Sequence, residues 1–170
     1  GPVAQILEFT REESGYLLLR RSISFDARRR PVLERSYDEE GILIMETRRI
    51  YGKSGLLAEL LGTDVQGAVS FRYRYIRDES GRLVEEQVWD GSGQMESRTL
   101  HSYSENARIH KIAGYDRNAV VKLEESWQYD EKGLPVSRML LFSDRKLLKR
   151  ELYYHDSRDR IVVVERYDAK

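Results

Sequence analysis

The feature that most limits what this chain can fold into is a beat: an aromatic residue, an Asp beside it and a Gly three positions further on return about every 13 residues. Rings stand at Phe25, Tyr37, Tyr51, Tyr75, Trp89, Tyr103, Tyr115, Tyr129, Phe142, Tyr154 and Tyr167, with Thr63 in the one place a ring is missing. Every interval is even, twelve or fourteen, except the two odd ones of thirteen from Tyr129 to Phe142 and from Tyr154 to Tyr167. Spacing this regular means that one short structural unit is stacked repeatedly.

Tyr37-Asp38-Glu39-Glu40-Gly41 and Tyr129-Asp130-Glu131-Lys132-Gly133 show what the unit is. Asp caps its own backbone two residues on, two residues make a type I turn, and Gly takes the positive φ that lets the strands re-pair. Each copy is therefore a tight hairpin, with the aromatic facing the residue two after Gly, as Tyr37 faces Leu43. Such cross-strand pairs contribute roughly 0.2 to 1 kcal/mol each. Ala107, Ala119 and Lys146 fall where Gly is expected, so those loops should be less ideal. The odd intervals and the stretch after Tyr75 call for a bulge or a longer turn.

Even spacing places the rings on one common face of a sheet, because side chains alternate along a strand. The predicted fold is all-β: an antiparallel up-and-down meander of about 12–13 strands built from ~13-residue hairpin repeats, curled into a flattened barrel or sandwich-like sheet. Only Gly55 to Gly62 has the propensity for a short helix. Residues 1–170 form one domain by length. Gly1-Pro2 has the form left by tag removal and Tyr167-Asp168 opens another unit, so a longer repeat protein is expected.

With 29 basic and 29 acidic residues interspersed, the net charge is zero, which gives nucleic acid or an anionic membrane nothing to be drawn by. There is no Cys, so disulfides, zinc-thiolate sites and thiol catalysis are excluded together. No apolar run has the length of a membrane helix.

The string aromatic-Asp-x-x-Gly-x-aliphatic, clearest from Tyr37 to Leu43 and echoed from Asp78 to Leu83, resembles the YD repeats of bacterial RHS-type surface and toxin-shell proteins, and MORN-like hairpin repeats. The likeness runs from Phe25 to Asp168. It implies a structural or binding scaffold, periplasmic or at the cell surface. The units are shorter than typical YD repeats, and neither the Asp-Pro-rich motif that closes such shells nor a toxin domain is present.

Catalytic constellations are absent from the sequence: no Gly-x-Ser-x-Gly, no phosphate-binding Gly-rich loop, no His-Glu-x-x-His. His101 and His110 flank one turn, but the expected register sets them on opposite faces, and one Asp per turn gives no convergence of calcium ligands. Neither metal nor cofactor is expected, and the chain is not expected to be an enzyme; a hydrolase with carboxylates at one end of the sheet is the weakest alternative. Two functions remain. The first is a non-enzymatic scaffold that binds a protein partner or its own copies through Ile42, Ile44, Ile50, Val84, Val88, Ile112 and Val120 on the face away from the rings. The second is a carrier of a lipid or glycan along Tyr73, Tyr75, Trp89, Trp127 and Tyr129, since stacked rings hold sugars and apolar chains as readily as they fill a core.

Overall fold

The computed structural model describes residues 4–11, 13, 15–106, 108–143 and 146–168. Thirteen strands of 7 to 9 residues follow one another: β1 Gln5–Arg11, β2 Leu17–Phe25, β3 Pro31–Tyr37, β4 Leu43–Tyr51, β5 Leu57–Thr63, β6 Val69–Arg77, β7 Leu83–Asp90, β8 Met95–Tyr103, β9 Ile109–Asp116, β10 Val121–Tyr129, β11 Pro135–Phe142, β12 Leu147–His155 and β13 Ile161–Asp168. They hydrogen-bond in chain order in one sheet, the predicted meander. The leucine-rich stretch with helix propensity is β5, laddered to β4 and β6. Ladder bonds on both sides outweigh a weak local preference.

The sheet is not closed into the expected barrel: β1 and β13 are its two edges. An up-and-down meander with an odd number of strands runs its first and last strands in the same direction. Closure would need one parallel ladder in an otherwise antiparallel sheet.

The turns are more regular than the rings suggest. In every hairpin from Asp26 onward, a backbone N–H donates to the carbonyl four positions on, at Asp26, Asp38, Gly52, Asp64, Asp78, Asp90, Ser104, Asp116, Asp130, Phe142 and Asp156. The steps between these positions alternate strictly between twelve and fourteen, so the true repeat is two strands long. No turn is lengthened after Tyr75 or in the odd intervals. The ring simply leaves its slot, which Arg77, Leu141 and His155 occupy instead. The third loop residue has positive φ throughout the described turns, including the non-glycines Arg29 (60°), Ala119 (59°) and Asp159 (61°). Ala119 is thus placed as expected. Ala107 lies outside the described residues, and Lys146 is not in that slot but closes its turn, accepting from Phe142.

The hairpins β2–β3 to β5–β6 and β8–β9 to β12–β13 also carry an extra residue one step into the second strand, whereas β1–β2 carries its extra residue further on, at Arg20. Tyr37 faces Leu43 but Ser36 faces Met45, and Tyr51 faces Leu57 but Ile50 faces Glu59. These bulges overturn the single aromatic face. Direct cross-strand partners share a face, and the bulge shifts parity once per hairpin, so rings that end consecutive strands point to opposite sides. Tyr51 shares a face with Arg49 and Glu34, whereas Tyr37, next to Ser36, points away from that face.

Contacts gather into two units, Gly1–Ile76 with Gln87–Met95, and Arg77–Glu86 with Glu96–Lys170. Neither has a conventional core. Among the described residues Ala113 is the one buried hydrophobic side chain, and the other buried residues are Ser22, Gly62, Ser137 and Glu151.

Candidate functional site

Charge takes over where apolar packing is thin. In the first unit, Arg21 bridges Glu8 (3.6 Å) and Glu34 (2.6 Å), and Glu34 also holds Arg49 (2.7 Å). Burial alone would raise the Glu34 pKa, but the hydrogen bonds from Arg21 and Arg49 outweigh it and the carboxyl is held below its ordinary range. On the other face of the same unit, Glu59 takes Arg72 at 3.2 Å. The second unit repeats the device: Arg138 bridges Glu125 (2.9 Å) and Glu151 (3.2 Å), and Lys149 and Arg166 close on Glu151 at 2.9 and 3.1 Å. Glu151 is 5% exposed, and the Lys149 ammonium, with Tyr153, Arg166 and Arg138, holds its carboxyl at about 2. Trp127 lies over this rung, stacked on Tyr153 at 6.1 Å with the Arg138 guanidinium 5.3 Å from its ring.

These rungs were legible in the sequence and were missed. Charges alternate at every thirteenth position in the middle of the strands: Glu8, Arg21, Glu34; then Glu59, Arg72, Glu85, Arg98; then Glu125, Arg138, Glu151. The louder punctuation of rings and turns masks this second rhythm between them.

One end of each unit is stapled from turn to turn, the turns being those that begin at Asp26 and Gly52 in the first and at Asp78, Ser104, Asp130 and Asp156 in the second. Tyr51 donates its hydroxyl to Pro31 O, Tyr103 to Leu83 O and Tyr129 to Ile109 O, all at 2.7–2.8 Å and all reaching back 20 residues. Above these rings lie Arg30, Arg82 and Arg108, the residues that close the preceding turns, at 4.2 to 5.7 Å from the ring centres. Arg30 and Arg82 are anchored in turn by Asp26 and Asp78, each at 2.7 Å.

The five rings expected to bind a ligand do not form one row. Tyr73 faces Leu60, which faces Arg49, so Tyr73 and Tyr75 share that face, while Trp89 lines a hollow of about 300 Å³ with Arg72 and Arg74 on the other. In the second unit, Trp127 and Tyr129 do come together, lining a hollow of about 520 Å³ with Ser104, Asn106, Arg108 and His110. The expected partner-binding residues separate as well. Ile44 and Ile50 lie exposed on one face of β4, Ile42 and Val120 are exposed in turns, and Ile112 faces His101 and Glu125 on the ring-bearing side. His101 bonds Glu86 at 2.9 Å, which puts Val84 and Val88 on that side too. The bulge at His110 also corrects the histidine register: His101 opposes Ile112 rather than Lys111, and alternation from Ile112 returns His110 to the face of His101. His101 commits its ring to Glu86, and no group of three or more metal-ligating side chains exists among the described residues.

Fold and rungs together define a β-hairpin repeat sheet held by charged ladders and stapled turns. No family model matches the chain, and no curated protein matches it. Among solved structures, it is similar over 95% of its length to the TcdB2-TccC3 complex without its hypervariable C-terminal region, at 14% identity and a TM-score of 0.35, and over 98% to the TcdB2-TccC3-TEV structure, at 10% identity and 0.33. It spans 12% and 10% of those chains. A Bacteroides fragilis protein of unknown function is similar over 98% of this chain and 93% of its own, at 14% identity and a TM-score of 0.18. What the chain does is therefore read from its own residues.

Proposed function

We propose that the chain is a non-enzymatic scaffold segment that works by being covered, by a protein partner or by its own copies. One observation carries this reading: a single apolar side chain is buried among the described residues, while Ile44, Ile50, Phe9, Ile161 and Val163 stand 48 to 51% exposed on regular strands. Ile44 and Ile50 share one face of β4, and apolar side chains left open together mark interaction surfaces. The turn carboxylates support the non-enzymatic part, because Asp38, Asp64, Asp90 and Asp116 each commit Oδ1 to two backbone N–H groups. The test is light scattering over a concentration series with an Ile44→Asp, Ile50→Asp double variant. Association that the variant abolishes is expected; a monomer at every concentration that also fails to bind the dye ANS would refute the reading.

Glycan binding retains a specific observation in its favour, the hollow that brings Trp127 and Tyr129 together. Titration with neutral and acidic oligosaccharides, read by tryptophan fluorescence, tests it.

A further inference from the structure

The turn rim repeats one ion pair at three of its turns, and the turn at Ser104 keeps the arginine alone. At Asp26/Arg30, Asp78/Arg82 and Asp156/Arg160, the carboxylate opens the turn and the guanidinium closes it, 2.7 Å apart. The turn from Ser104 to Arg108 has the arginine without the acid. Among the described residues, Ser104 Oγ accepts the backbone N–H of Arg108, at 3.3 Å. A hydroxyl has no second oxygen and no charge to offer the guanidinium.

Arg108 is nonetheless held in place. Its guanidinium lies 5.7 Å from the Tyr129 ring centre, and the Tyr129 hydroxyl is tied to Ile109 O. A Cβ on Gly133 would fall 1.9 Å from Arg108 Cζ, so glycine there leaves the space the guanidinium fills. The next turn on this rim shows the opposite deficit. Asp130 is followed at the closing position by Leu134, so Asp130 has no arginine of its own; its Oδ1 accepts the backbone N–H of Leu134, and the nearby Lys132 ammonium, which it also attracts, is bonded to Asp159. Asp130 lines the same hollow of about 520 Å³ as Arg108, Trp127 and Tyr129. That volume falls within the roughly 300–1,000 Å³ typical of small-ligand sites.

We infer that this hollow binds an acidic sugar residue, a uronate within an oligosaccharide. Its carboxylate takes the place of the missing Asp against Arg108, one of its hydroxyls donates to Asp130, and its ring lies along Trp127. A guanidinium lacking its acid, beside a carboxylate lacking its arginine, suits a ligand that carries both an anion and hydroxyl donors. A run of acidic side chains supplies the first and is repelled by the second. This inference rests on the glycan reading and not on the scaffold reading.

The test titrates the whole chain at low ionic strength with trigalacturonate, with neutral maltotriose and with a tetraglutamate peptide, read by tryptophan fluorescence and calorimetry. The protein is compared with Ser104→Asp, which restores the ion pair seen in the sibling turns, and with Arg108→Gln. Trigalacturonate alone should bind, and both variants should weaken it by about tenfold or more, the loss of one charge-assisted hydrogen bond. Circular dichroism and the unfolding midpoint confirm that Ser104→Asp remains folded. Equal binding of maltotriose overturns the acidic specificity and leaves the glycan reading standing. Binding of neither sugar up to about 10 mM overturns both. Preference for the peptide, or an affinity unchanged in Ser104→Asp, overturns the assignment of the carboxylate to Arg108.

Discussion

Replacing Glu151 with Gln should cost more than any other single charge removal in this sheet, and the cost should vanish in acid. Glu151 accepts from Lys149 and Tyr153 at 2.9 and 2.8 Å and from Arg138 and Arg166 at 3.2 and 3.1 Å, and is 5% exposed. A carboxyl held at about 2 instead of its ordinary 4.5 contributes at most about 3.4 kcal/mol at neutral pH. The floor is one hydrogen bond to a charged group, about 1.5 kcal/mol. Arg166 is 65% exposed and Lys149 34%, so both turn to water once the anion is gone, and Arg138 keeps Glu125. The expected loss therefore lies between these bounds, at about 2 to 3 kcal/mol. The sign with pH follows from the depressed pKa. Stability from Glu151 is fully present above 4.5 and is lost as pH falls through 2, so the ceiling of about 3.4 kcal/mol at pH 7 shrinks to about 1.4 at pH 3. Urea unfolding followed by Trp127 fluorescence reads this directly, since Trp127 sits on the same rung. A difference between the two proteins below about 0.5 kcal/mol at pH 7, or one of equal size at pH 7 and pH 3, would refute the reasoning.

Three further outcomes are expected. Ala119→Gly should raise stability by about 0.5 to 1 kcal/mol in thermal or urea unfolding, because relief of a left-handed backbone at φ 59° exceeds the added freedom of the unfolded chain. Tyr103→Phe and Tyr129→Phe should each lose about 1 kcal/mol through the missing bond to a carbonyl on the rim, with faster amide hydrogen exchange in the turns they staple. Gly62→Ala should destabilise by about 1 to 3 kcal/mol, because its Cβ would stand 2.3 Å from the Phe71 ring, which is set edge-on against Tyr73; a neutral result in urea unfolding would show that the ring has room to move.

The strand count and the pairings of Tyr37 with Leu43, Tyr51 with Leu57, Tyr103 with Ile109 and Tyr115 with Val121 were legible because Asp, Gly and the aromatic each act locally, whereas Phe142 and Tyr154 do not pair with Leu148 and Val162: Leu141 faces Leu147 and Tyr154 faces Val163. Face assignment was not legible. It depends on the bulge one step into the second strand, at Val32, Ile44, Ala58, Ser70, His110, Lys122, Val136, Leu148 and Val162, and these range from aliphatic through hydroxyl to imidazole and ammonium, so no one side-chain type marks the position. A displacement of one residue inverts a whole strand, which is why Trp89 parted from Tyr75. The two-strand period was hidden for a related reason. Arg77, Leu141 and His155 hold ring slots while Tyr75, Phe142 and Tyr154 sit one or two positions away, so spacing by residue type blurs the strict alternation that the backbone keeps. Trp127 and Tyr129 survived as a pair because they lie two apart on one strand, where no bulge intervenes.

In a repeat sheet each strand meets only its neighbours, so stability is close to a sum of neighbour terms and any one turn can depart from the pattern without unfolding the rest. Departures are then more informative than the pattern. Asp at position 104 would complete an ion pair already present at Asp26, Asp78 and Asp156, and the closing bond of that turn matches theirs, since the Ser104 N–H donates to Arg108 O as the aspartates do to the residues closing their turns. The chain forgoes that pair where the facing Asp130 has forgone its arginine and where Trp127 and Tyr129 share a hollow. Ser104→Asp should therefore raise the unfolding midpoint while weakening the trigalacturonate complex, the opposition expected when a site is kept at the expense of stability. A variant that gained stability and kept its affinity would show the vacancy at Ser104 to be ordinary drift in a tolerant repeat.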